Sequence, residues 1–393
     1  MGDPWVTIIG MSDDTAEQLP PASRTALEAA EVIFGGPRHL ELVKAGARGA
    51  AWPVPFSIDP VLAAKGRRVV LLTSGDPFWF GAGGTLAAHL DPGEWRTIPA
   101  PSTFSLIAGH LGWRMEDITC HGLHAAPFER LRRVLSPKGR LICLLRDGDA
   151  PAAFADWLCG QDADGATLHV CERMGGARQR VRTARADAFD LTDIVAPVAI
   201  AVELPAGIGL SRASGLPDDS FAHDGQITKR PVRALTLCAL APRCDELLWD
   251  IGAGSGSISV EWCLAGGRAI AFERNSARVA NIRQNIADFG LGHRMQVVEG
   301  CSSETLPQDV EPDAVFVGGG GTPTLFEQLF AVLPTGSRLV ANGVTLETEA
   351  LLAHLHSARG GNLMRVELAH AAPLGQMRGW QPVRPLVQWS VTL

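Results

Sequence analysis

A glycine-rich turn after a short apolar run constrains the second half of this chain more than any other feature. Leu247–Trp249 is apolar, and Asp250–Gly256 follows it as Asp-Ile-Gly-Ala-Gly-Ser-Gly. Glycines let a backbone turn tightly and approach a ligand closely, and the N-terminus of a following helix offers free N–H groups. Glu273 ends the next apolar run about twenty residues later, where an acid accepts hydrogen bonds from ribose hydroxyls. The pattern therefore predicts a βαβ nucleoside site.

Two cofactors compete for this predicted site. NAD sites favour Gly-x-Gly-x-x-Gly and place a pyrophosphate at the helix N-terminus, where a carboxylate would repel it. The order here is Asp-x-Gly-x-Gly-x-Gly, and an acid at a strand end suits a ligand that carries an ammonium group. S-adenosylmethionine carries an α-amino group and a sulfonium, so the charges favour it over NAD. A glycine turn without a ligand is the remaining alternative.

The predicted cofactor site extends along one edge of the sheet, because ligands of open α/β sheets bind outside the carboxyl ends of the strands. Further glycine-bearing segments, 299–302, 318–321 and 342–345, follow the third, fourth and fifth predicted strands. The four glycines at 318–321 would leave room for a bulky acceptor, or form a flexible turn. The predicted cofactor-binding residues are Asp250, Gly252, Ala253, Gly254, Ser255, Gly256, Glu273, Gly300, Cys301, Ser302 and Gly318.

The first half of the chain alternates strands and helices as well. Val69–Leu72 is a continuous apolar run, and Arg140–Leu145 is apolar after its first residue; such runs are typical of buried parallel strands. Ser74–Pro77 stops the first run as a sharp turn would, and the apolar spacing of residues 22–33 predicts a helix. Strands that alternate with helices predict an α/β domain with a largely parallel sheet.

The length of the chain indicates two domains. Its 393 residues exceed one ordinary domain, and a hydrophobic content of 46% is sufficient for two cores. Pro205–Gly225 mixes Pro, Gly, Ser and Asp without periodicity, which indicates a linker or a cover loop. We therefore predict α/β domains at residues 1–212 and 213–393.

Charge and cysteine usage exclude several classes of protein. A net charge of −7 disfavours a duplex nucleic-acid binder, which needs a basic face. No apolar run approaches the roughly 18 residues that span a bilayer. The eight cysteines form no Cys-x-x-Cys pair, which indicates reduced thiols rather than zinc ligands or disulfides. We expect a cytoplasmic homo-oligomer with no metal, no nucleic-acid partner and no membrane partner.

The second half resembles the decarboxylating precorrin methyltransferases of cobalamin biosynthesis. The resemblance is carried by Ile227–Arg233, Asp250–Gly256, Glu273–Asn275, Phe316–Gly319 and Asn342–Glu347. It implies a Rossmann-like S-adenosylmethionine-dependent domain that methylates C-15 of a reduced tetrapyrrole and removes the carboxyl group of its ring-C acetate. It also implies that Thr228 contacts the cofactor, and Asn342 is a candidate catalytic residue.

The first half resembles the tetrapyrrole methylases. Ser74–Gly81, Pro101–Phe104, Cys120–His124 and Val170–Gly175 carry this resemblance, whereas Gly10–Asp13 lacks the family's usual glycine- and proline-bearing turn. The resemblance implies a tetrapyrrole methylase-like α/β domain that methylates C-5, with one S-adenosylmethionine in each domain. The two domains together would convert precorrin-6B to precorrin-8. The predicted cofactor contacts of the first domain are Gly75, Asp76, Trp79, Ser102 and Thr103.

The implied acceptor is a tetrapyrrole with many carboxylates, for which bidentate arginines are the expected ligands. His121 and His124 could move protons near the first site, since histidine titrates near neutrality, and His121 is a second candidate catalytic residue. A structural role is the alternative for each of these side chains. The candidate substrate-binding arginines are Arg38, Arg146, Arg230, Arg233 and Arg378.

Two other functions remain open at this point. The chain could be a two-domain methyltransferase that acts on another bulky substrate, such as a protein or an RNA. Alternatively, only the C-terminal domain could be an active methyltransferase, with an N-terminal domain that docks the substrate. The departure at Gly10–Asp13 is the observation that keeps the second alternative open.

Overall fold

The computed structural model describes residues 4–12, 16–300, 306–307 and 309–393. The predicted contacts at Cys301 and Ser302, and Asp13 of the first-strand loop, lie outside these residues. The chain divides into two compact units: unit 1 comprises Met1–Phe128 and Val134–Ile208, and unit 2 comprises Glu129–Arg133 and Gly209–Leu393. The main division between them therefore falls inside the segment 205–225.

Unit 1 begins with a parallel five-stranded sheet in the order β3-β2-β4-β1-β5. Both faces of its central strands are buried, which explains their nearly unbroken apolar sequences. The strands are β1 (Val6–Met11), β2 (Val32–Gly35), β3 (Gly49–Ala51), β4 (Val69–Ser74) and β5 (Trp95–Ile98). The helices around them are α1 (Pro21–Ala29), α2 (Pro37–Leu42), α3 (Asp59–Leu62), α4 (Ala82–Ala87) and α5 (Thr103–Leu111).

The helix predicted for residues 22–33 is shorter in the structure. Helix α1 ends at Ala29, Ala30 is extended, and Ile33 lies in β2. The run Val32–Phe34 is β-branched and aromatic, and it pairs with β4, so sheet formation overrides the apolar spacing that suggested one long helix.

A second sheet completes unit 1, in the order β6-β7-β10-β8-β9, and it is mixed rather than largely parallel. Strands β6 and β7 are parallel, whereas β10 is antiparallel to both β7 and β8. Strand β10 is buried on both faces, and its sequence is therefore an almost unbroken apolar run. Such a run is equally compatible with a parallel and with an antiparallel strand, so the sequence pattern could not show the direction of β10. The elements are β6 (Ile118–Gly122), β7 (Arg140–Leu145), α6 (Ala150–Cys159), β8 (Thr167–Glu172), β9 (Arg180–Arg185) and β10 (Val198–Glu203).

Unit 2 contains a seven-stranded sheet in the order β13-β12-β11-β14-β15-β19-β16. The first five strands in this order are parallel, and β19 is antiparallel to β15 and β16. The strands of unit 2 are β11 (Leu247–Ile251), β12 (Arg268–Glu273), β13 (Met295–Glu299), β14 (Ala314–Val317), β15 (Arg338–Gly343), β16 (Asn362–Val366), β17 (Ala369–Leu374), β18 (Met377–Pro382) and β19 (Leu386–Thr392). Its helices are α7 (Arg230–Leu240), α8 (Ser257–Leu264), α9 (Ser276–Asp288), α10 (Pro323–Val332) and α11 (Leu346–Arg359).

The strand order of unit 2 reverses between β11 and β14, which creates the crevice in which open α/β sheets bind ligands. The predicted α/β fold class is confirmed, with the Rossmann-like sheet in the second half. Strands β17 and β18 form a separate hairpin.

Part of the predicted linker belongs to the core of unit 2. Leu216 and Phe221 are buried in the hydrophobic cluster that also contains Ile258 and Phe289. The absence of periodicity in 205–225 therefore reflects irregular backbone that packs against the sheet layer. No helix of the described residues is long and apolar enough to cross a membrane.

Candidate functional site

A cavity of about 380 Å³ lies in unit 1, at the edge where β1, β4, β7 and β8 end. Its size falls in the range of small-molecule sites. Every predicted cofactor residue of the first domain lines it, and so does Arg38 of the candidate arginines. Those cofactor residues are Gly75, Asp76, Trp79, Ser102 and Thr103.

The turn after β4 needs a glycine at position 75. Gly75 has a φ of +58°, and a Cβ there would lie 2.9 Å from the Cα of Ser102. The Gly75 N–H donates to the carbonyl oxygen of Met11 at 2.8 Å, and the Asp76 carboxylate accepts the N–H of Phe78 at 2.8 Å. These contacts hold the turn against the start of α5, where the Ser102 hydroxyl caps the helix by accepting the Ser105 N–H.

Aromatic side chains form one side of the unit 1 cavity. Trp79 and Phe80 both contact the ring of buried Phe104, at centroid distances of 5.2 Å and 5.8 Å. Both remain considerably exposed, at 39% and 52%. The loop after β4 therefore presents apolar ring surface beside the predicted cofactor contacts.

The two histidines predicted near the first site differ in position. His124 lines the cavity. His121 lies on β6 outside the cavity lining, where burial lowers the pKa of its imidazole. Its Nε2 has no hydrogen-bond partner among the described residues. His121 is therefore held in a strand and does not line the cavity.

Sequence reasoning missed two charged or titratable side chains of this cavity, His39 and Arg173. Each follows a strand of unit 1, so the rule that ligands bind at the carboxyl ends of strands could have found them. Arg146, one of the candidate substrate-binding arginines, lies outside the cavity lining, is exposed and pairs with Asp147 at 2.7 Å.

A second cavity, of about 340 Å³, lies in unit 2 where β11, β12, β13 and β14 end. Gly252, Glu273 and Gly300 of the predicted cofactor residues line it. The cavity lining that the prediction did not include is Phe272, Arg274, Arg278, Gly319, Gly320, Thr322 and Leu325. The predicted contacts at Thr228, Ala253, Gly254, Ser255, Gly256 and Gly318 lie outside this lining.

The floor of the unit 2 cavity is formed by two loops in backbone contact. Gly252 has a φ of +68°, and a Cβ there would lie 2.6 Å from the carbonyl oxygen of Gly319. The Glu273 carboxylate accepts the N–H groups of Gly254 and Asn275, both at 2.9 Å. A carboxylate offers about four lone-pair sites, so Glu273 can order the glycine turn and still accept ligand hydroxyls.

Asp250 is fully buried beneath this turn. One carboxylate oxygen accepts the Ser259 hydroxyl at 2.6 Å, and the other has no partner among the described residues. The Ser255 hydroxyl is also buried without a partner there. Desolvation, opposed by the Ser259 hydrogen bonds, raises the pKa of Asp250 to about 6. Asp250 and Ser255 thus each retain hydrogen-bonding capacity at the glycine turn.

The raised pKa of Asp250 has a consequence for stability. The pKa of an unfolded aspartate is about 3.9, so the folded state binds this proton more tightly and loses stability as the pH rises from about 4 to 6. Asp250→Asn removes that loss while keeping an acceptor for Ser259. The difference in free energy of unfolding, variant minus unmodified protein, should rise by about 2 kcal/mol when the pH is raised from 4.5 to 7.5. Urea unfolding at both pH values, with pulse proteolysis to resolve unit 2, measures the difference; parallel pH profiles would contradict it.

Asn342 belongs to a hydrogen-bond network with Thr236 and Gln388. Its side-chain NH₂ donates to the Thr236 hydroxyl at 2.9 Å, and its carbonyl oxygen accepts the Gln388 amide at 3.0 Å. Gln388 also donates to Thr236, at 3.1 Å. The orientation of the Asn342 amide is therefore fixed by α7 and β19, with one N–H and one lone pair left over.

The candidate arginines of unit 2 occupy different environments. Arg230 is exposed at the start of α7, and Arg378 is exposed on β18. Arg233 is fully buried, and its guanidinium donates to Glu261, Asp218 and two backbone carbonyls. Arg233 is thus a structural residue and not a substrate ligand, because none of its surface reaches solvent.

Potential metal ligands do not cluster in the parts of the chain that the structure describes: no group of three or more His, Cys, Asp or Glu side chains could hold an ion there.

Two family models match the two halves of the chain. Residues 6–190 match the tetrapyrrole (corrin/porphyrin) methylases, and residues 219–393 match the precorrin methyltransferase domain. Both are families of S-adenosylmethionine-dependent methyltransferases.

Relatives match over the full length. A protein of Sinorhizobium sp, named precorrin-6Y C(5,15)-methyltransferase (decarboxylating), is 44% identical over 99% of this chain and 96% of its own length. A Mycobacterium tuberculosis protein of the same name is 39% identical over 98% of this chain and 99% of its own. A shorter Pyrobaculum aerophilum protein, named probable cobalt-precorrin-6B C(15)-methyltransferase (decarboxylating), is 33% identical over 44% of this chain and 92% of its own length. The chain therefore belongs to the precorrin-6Y C(5,15)-methyltransferase (decarboxylating) family, which joins a tetrapyrrole methylase domain to a precorrin methyltransferase domain.

Proposed function

We propose that this chain methylates one precorrin at C-5 and at C-15 and removes the carboxyl group of its ring-C acetate, converting precorrin-6B to precorrin-8. One observation carries the proposal: each unit holds its own cavity at strand ends, beside a left-handed glycine turn at Gly75 or at Gly252. The names of the full-length relatives support two methylations and a decarboxylation in one chain.

We assign C-5 methylation to residues 1–212, and C-15 methylation with decarboxylation to residues 213–393. The Pyrobaculum relative supports this division, because its name gives C-15 methylation with decarboxylation alone and its match covers 181 residues, about one unit. The motifs that resemble decarboxylating precorrin methyltransferases all lie in the second half, which supports placing that reaction there.

We further propose that each unit binds one S-adenosylmethionine, which supplies a methyl group on a sulfonium when bound. The residues of unit 2 fit such a donor. Glu273 lies at the cavity with lone pairs available to ribose hydroxyls, and Gly252 lets the Gly319 backbone approach closely beside it. The unsatisfied oxygens of Asp250 and Ser255 can accept hydrogen bonds from the donor's ammonium group or from a water between them.

The residues of the chain act mainly by positioning and by electrostatics. Protonation of the conjugated macrocycle creates an electron sink, so loss of carbon dioxide leaves an enamine-like acceptor with a nucleophilic meso carbon. Asn342 lies outside the lining of the unit 2 cavity, and its fixed amide retains one N–H and one lone pair. The loops at Gly252 and Gly319 approach each other closely at the cavity.

Glu273→Ala should weaken donor binding in unit 2 by about 10- to 100-fold, or about 1–3 kcal/mol, because ribose hydroxyls lose their acceptor and the backbone N–H groups of Gly254 and Asn275 lose theirs. Calorimetry on the full chain measures the effect, with the unit 1 site as an internal control. Two sites of unchanged affinity in the variant would contradict the assignment of Glu273. A single site in the unmodified protein would instead support an N-terminal domain that only docks the substrate.

The proposed reaction is tested by incubating the full chain with precorrin-6B and donor that carries a ¹³C-labelled methyl group. We expect a product with two labelled methyl groups and one carboxyl group fewer by mass spectrometry, with the labels at C-5 and C-15 by NMR. One methyl group at C-15 alone would support the docking alternative. An unchanged precorrin would favour a different bulky acceptor.

A further inference from the structure

We infer that Arg173 in unit 1 binds a carboxylate of the acceptor, an inference that rests on the proposed function. Arg173 follows β8 directly and lines the unit 1 cavity. The chemistry it would recognise is a carboxylate at the rim of a flat, largely apolar molecule. Four features of the cavity carry the inference.

The first feature is the contrast between the two walls of the cavity. The wall from the parallel sheet carries the predicted donor contacts, including Gly75, Ser102 and Thr103. The wall from the mixed sheet is apolar except for Arg173 and His124, and it suits the face of a macrocycle. Its apolar members are Leu144, Leu145, Cys171, Met174, Val198 and Ala199.

The second feature is that the Arg173 guanidinium lacks a partner. Its backbone N–H donates to Pro197, but its side chain has no hydrogen bond or ion pair with any residue that the structure describes. The adjacent Glu172 does not compensate for this charge, because its carboxylate is buried and held by Arg180 at 2.6 Å and by Arg182 at 3.2 Å. A half-buried cation without a partner is costly, and an anionic ligand would remove that cost.

The third feature is the backbone of Arg173, which has a φ of +50°. This left-handed region is unfavourable for residues with a Cβ, and strained residues cluster at ligand sites. A glycine would be the better residue at this position for stability alone. An arginine is nevertheless the residue present here, at the lining of the cavity.

The fourth feature is the charge of the lining. Arg38 lines the same cavity, with Nη2 3.0 Å from the Nε2 of His39. Asp76 is the acidic side chain of the described lining, and one of its oxygens accepts the Phe78 N–H. Two arginines face one aspartate, which favours an acceptor with several carboxylates.

The test compares Arg173→Met and Arg173→Gly with the unmodified full chain in C-5 methylation. We expect the KM for the precorrin to rise about 10- to 100-fold in both variants, while the affinity for S-adenosylhomocysteine stays unchanged. Arg173→Gly relieves the backbone strain, so its thermal stability should equal or exceed that of the unmodified protein. Arg173→Lys should restore part of the lost affinity. The matched control is Arg185→Met on neighbouring β9, where the arginine is exposed and pairs with Asp187.

Esterified precorrin separates a direct contact from an indirect one. Esterification should weaken binding to the unmodified protein but have a smaller effect on Arg173→Met, because the interacting pair is already broken. Loss of S-adenosylhomocysteine binding in the variants would overturn the inference and assign the arginine to the donor's carboxylate. An unchanged KM would overturn it in favour of a structural role. If the unmodified protein fails to methylate any precorrin, the proposed function fails, whatever Arg173 does.

Discussion

Replacing Arg233 by methionine is expected to lower the free energy of unfolding of unit 2 by about 3–5 kcal/mol. Arg233 is fully buried on α7, and its Nε donates to the Glu261 carboxylate at 2.6 Å. Its remaining N–H groups bind Asp218 and the carbonyl oxygens of Leu216 and Thr228. The substitution leaves Glu261 charged and buried without its cationic partner, which is the costly way to break such a pair.

The Arg233 prediction is measured by urea unfolding of the full chain, with pulse proteolysis to follow unit 2. Arg230→Met is the matched control, because Arg230 lies on the same helix and is exposed, so its change should stay within about 0.5 kcal/mol. Adding Glu261→Gln to Arg233→Met should recover part of the loss by removing the uncompensated charge. A loss below about 1 kcal/mol in the single variant would show that the network is not a major source of stability.

Gly252→Val is expected to abolish C-15 methylation and decarboxylation while C-5 methylation continues. A side chain at position 252 would meet the carbonyl oxygen of Gly319 at 2.6 Å, and the φ of +68° disfavours any β-branched residue. The two loops that form the cavity floor would separate, so the donor would lose its backbone contacts. The unit 1 cavity contains no part of this turn, so its reaction should survive on an acceptor that unit 1 accepts.

The Gly252 prediction is measured by the number of labelled methyl groups and carboxyl groups in the product. Gly336→Val is the control, because Gly336 also has a positive φ, of +93°, but has open space around it and lies outside the cavity lining. This control separates backbone strain from damage to the site. If Gly252→Val stays folded and loses both methylations, the two reactions are coupled by obligatory order or by a shared acceptor cavity.

Much of the architecture of both units could be predicted from local sequence patterns. Each of three strands contains a continuous apolar run that is followed by a polar or glycine residue: Leu141–Leu145, Leu247–Trp249 and Ala314–Val317. Such runs mark buried strands because both faces of a central strand are covered. The helix predicted for residues 22–33 was too long because an apolar residue at position 33 fits the end of a helix as well as it fits a β-strand.

The roles of the arginines could not be predicted in the same way. Three candidate arginines lie beside loops of the predicted motifs in the sequence: Arg38, Arg146 and Arg233. Of these three, only Arg38 lines a cavity. Arg233 is buried because Leu216 and Glu261, seventeen and twenty-eight positions away in sequence, meet it in the folded unit. Arg173 reaches the cavity because β10 lies antiparallel between β7 and β8.

The sequence by itself determined that this chain forms two α/β units and that glycine turns follow the strands at Gly75 and Gly252. These features are local: a buried strand requires an apolar run, and a left-handed turn requires a residue without a Cβ. Only the tertiary structure decided which arginines face a cavity, how the strands of the mixed sheet are directed, and that Asp250 is buried with a raised pKa. Those properties depend on which distant segments pack together, because burial and pairing are set by neighbours in space rather than in sequence.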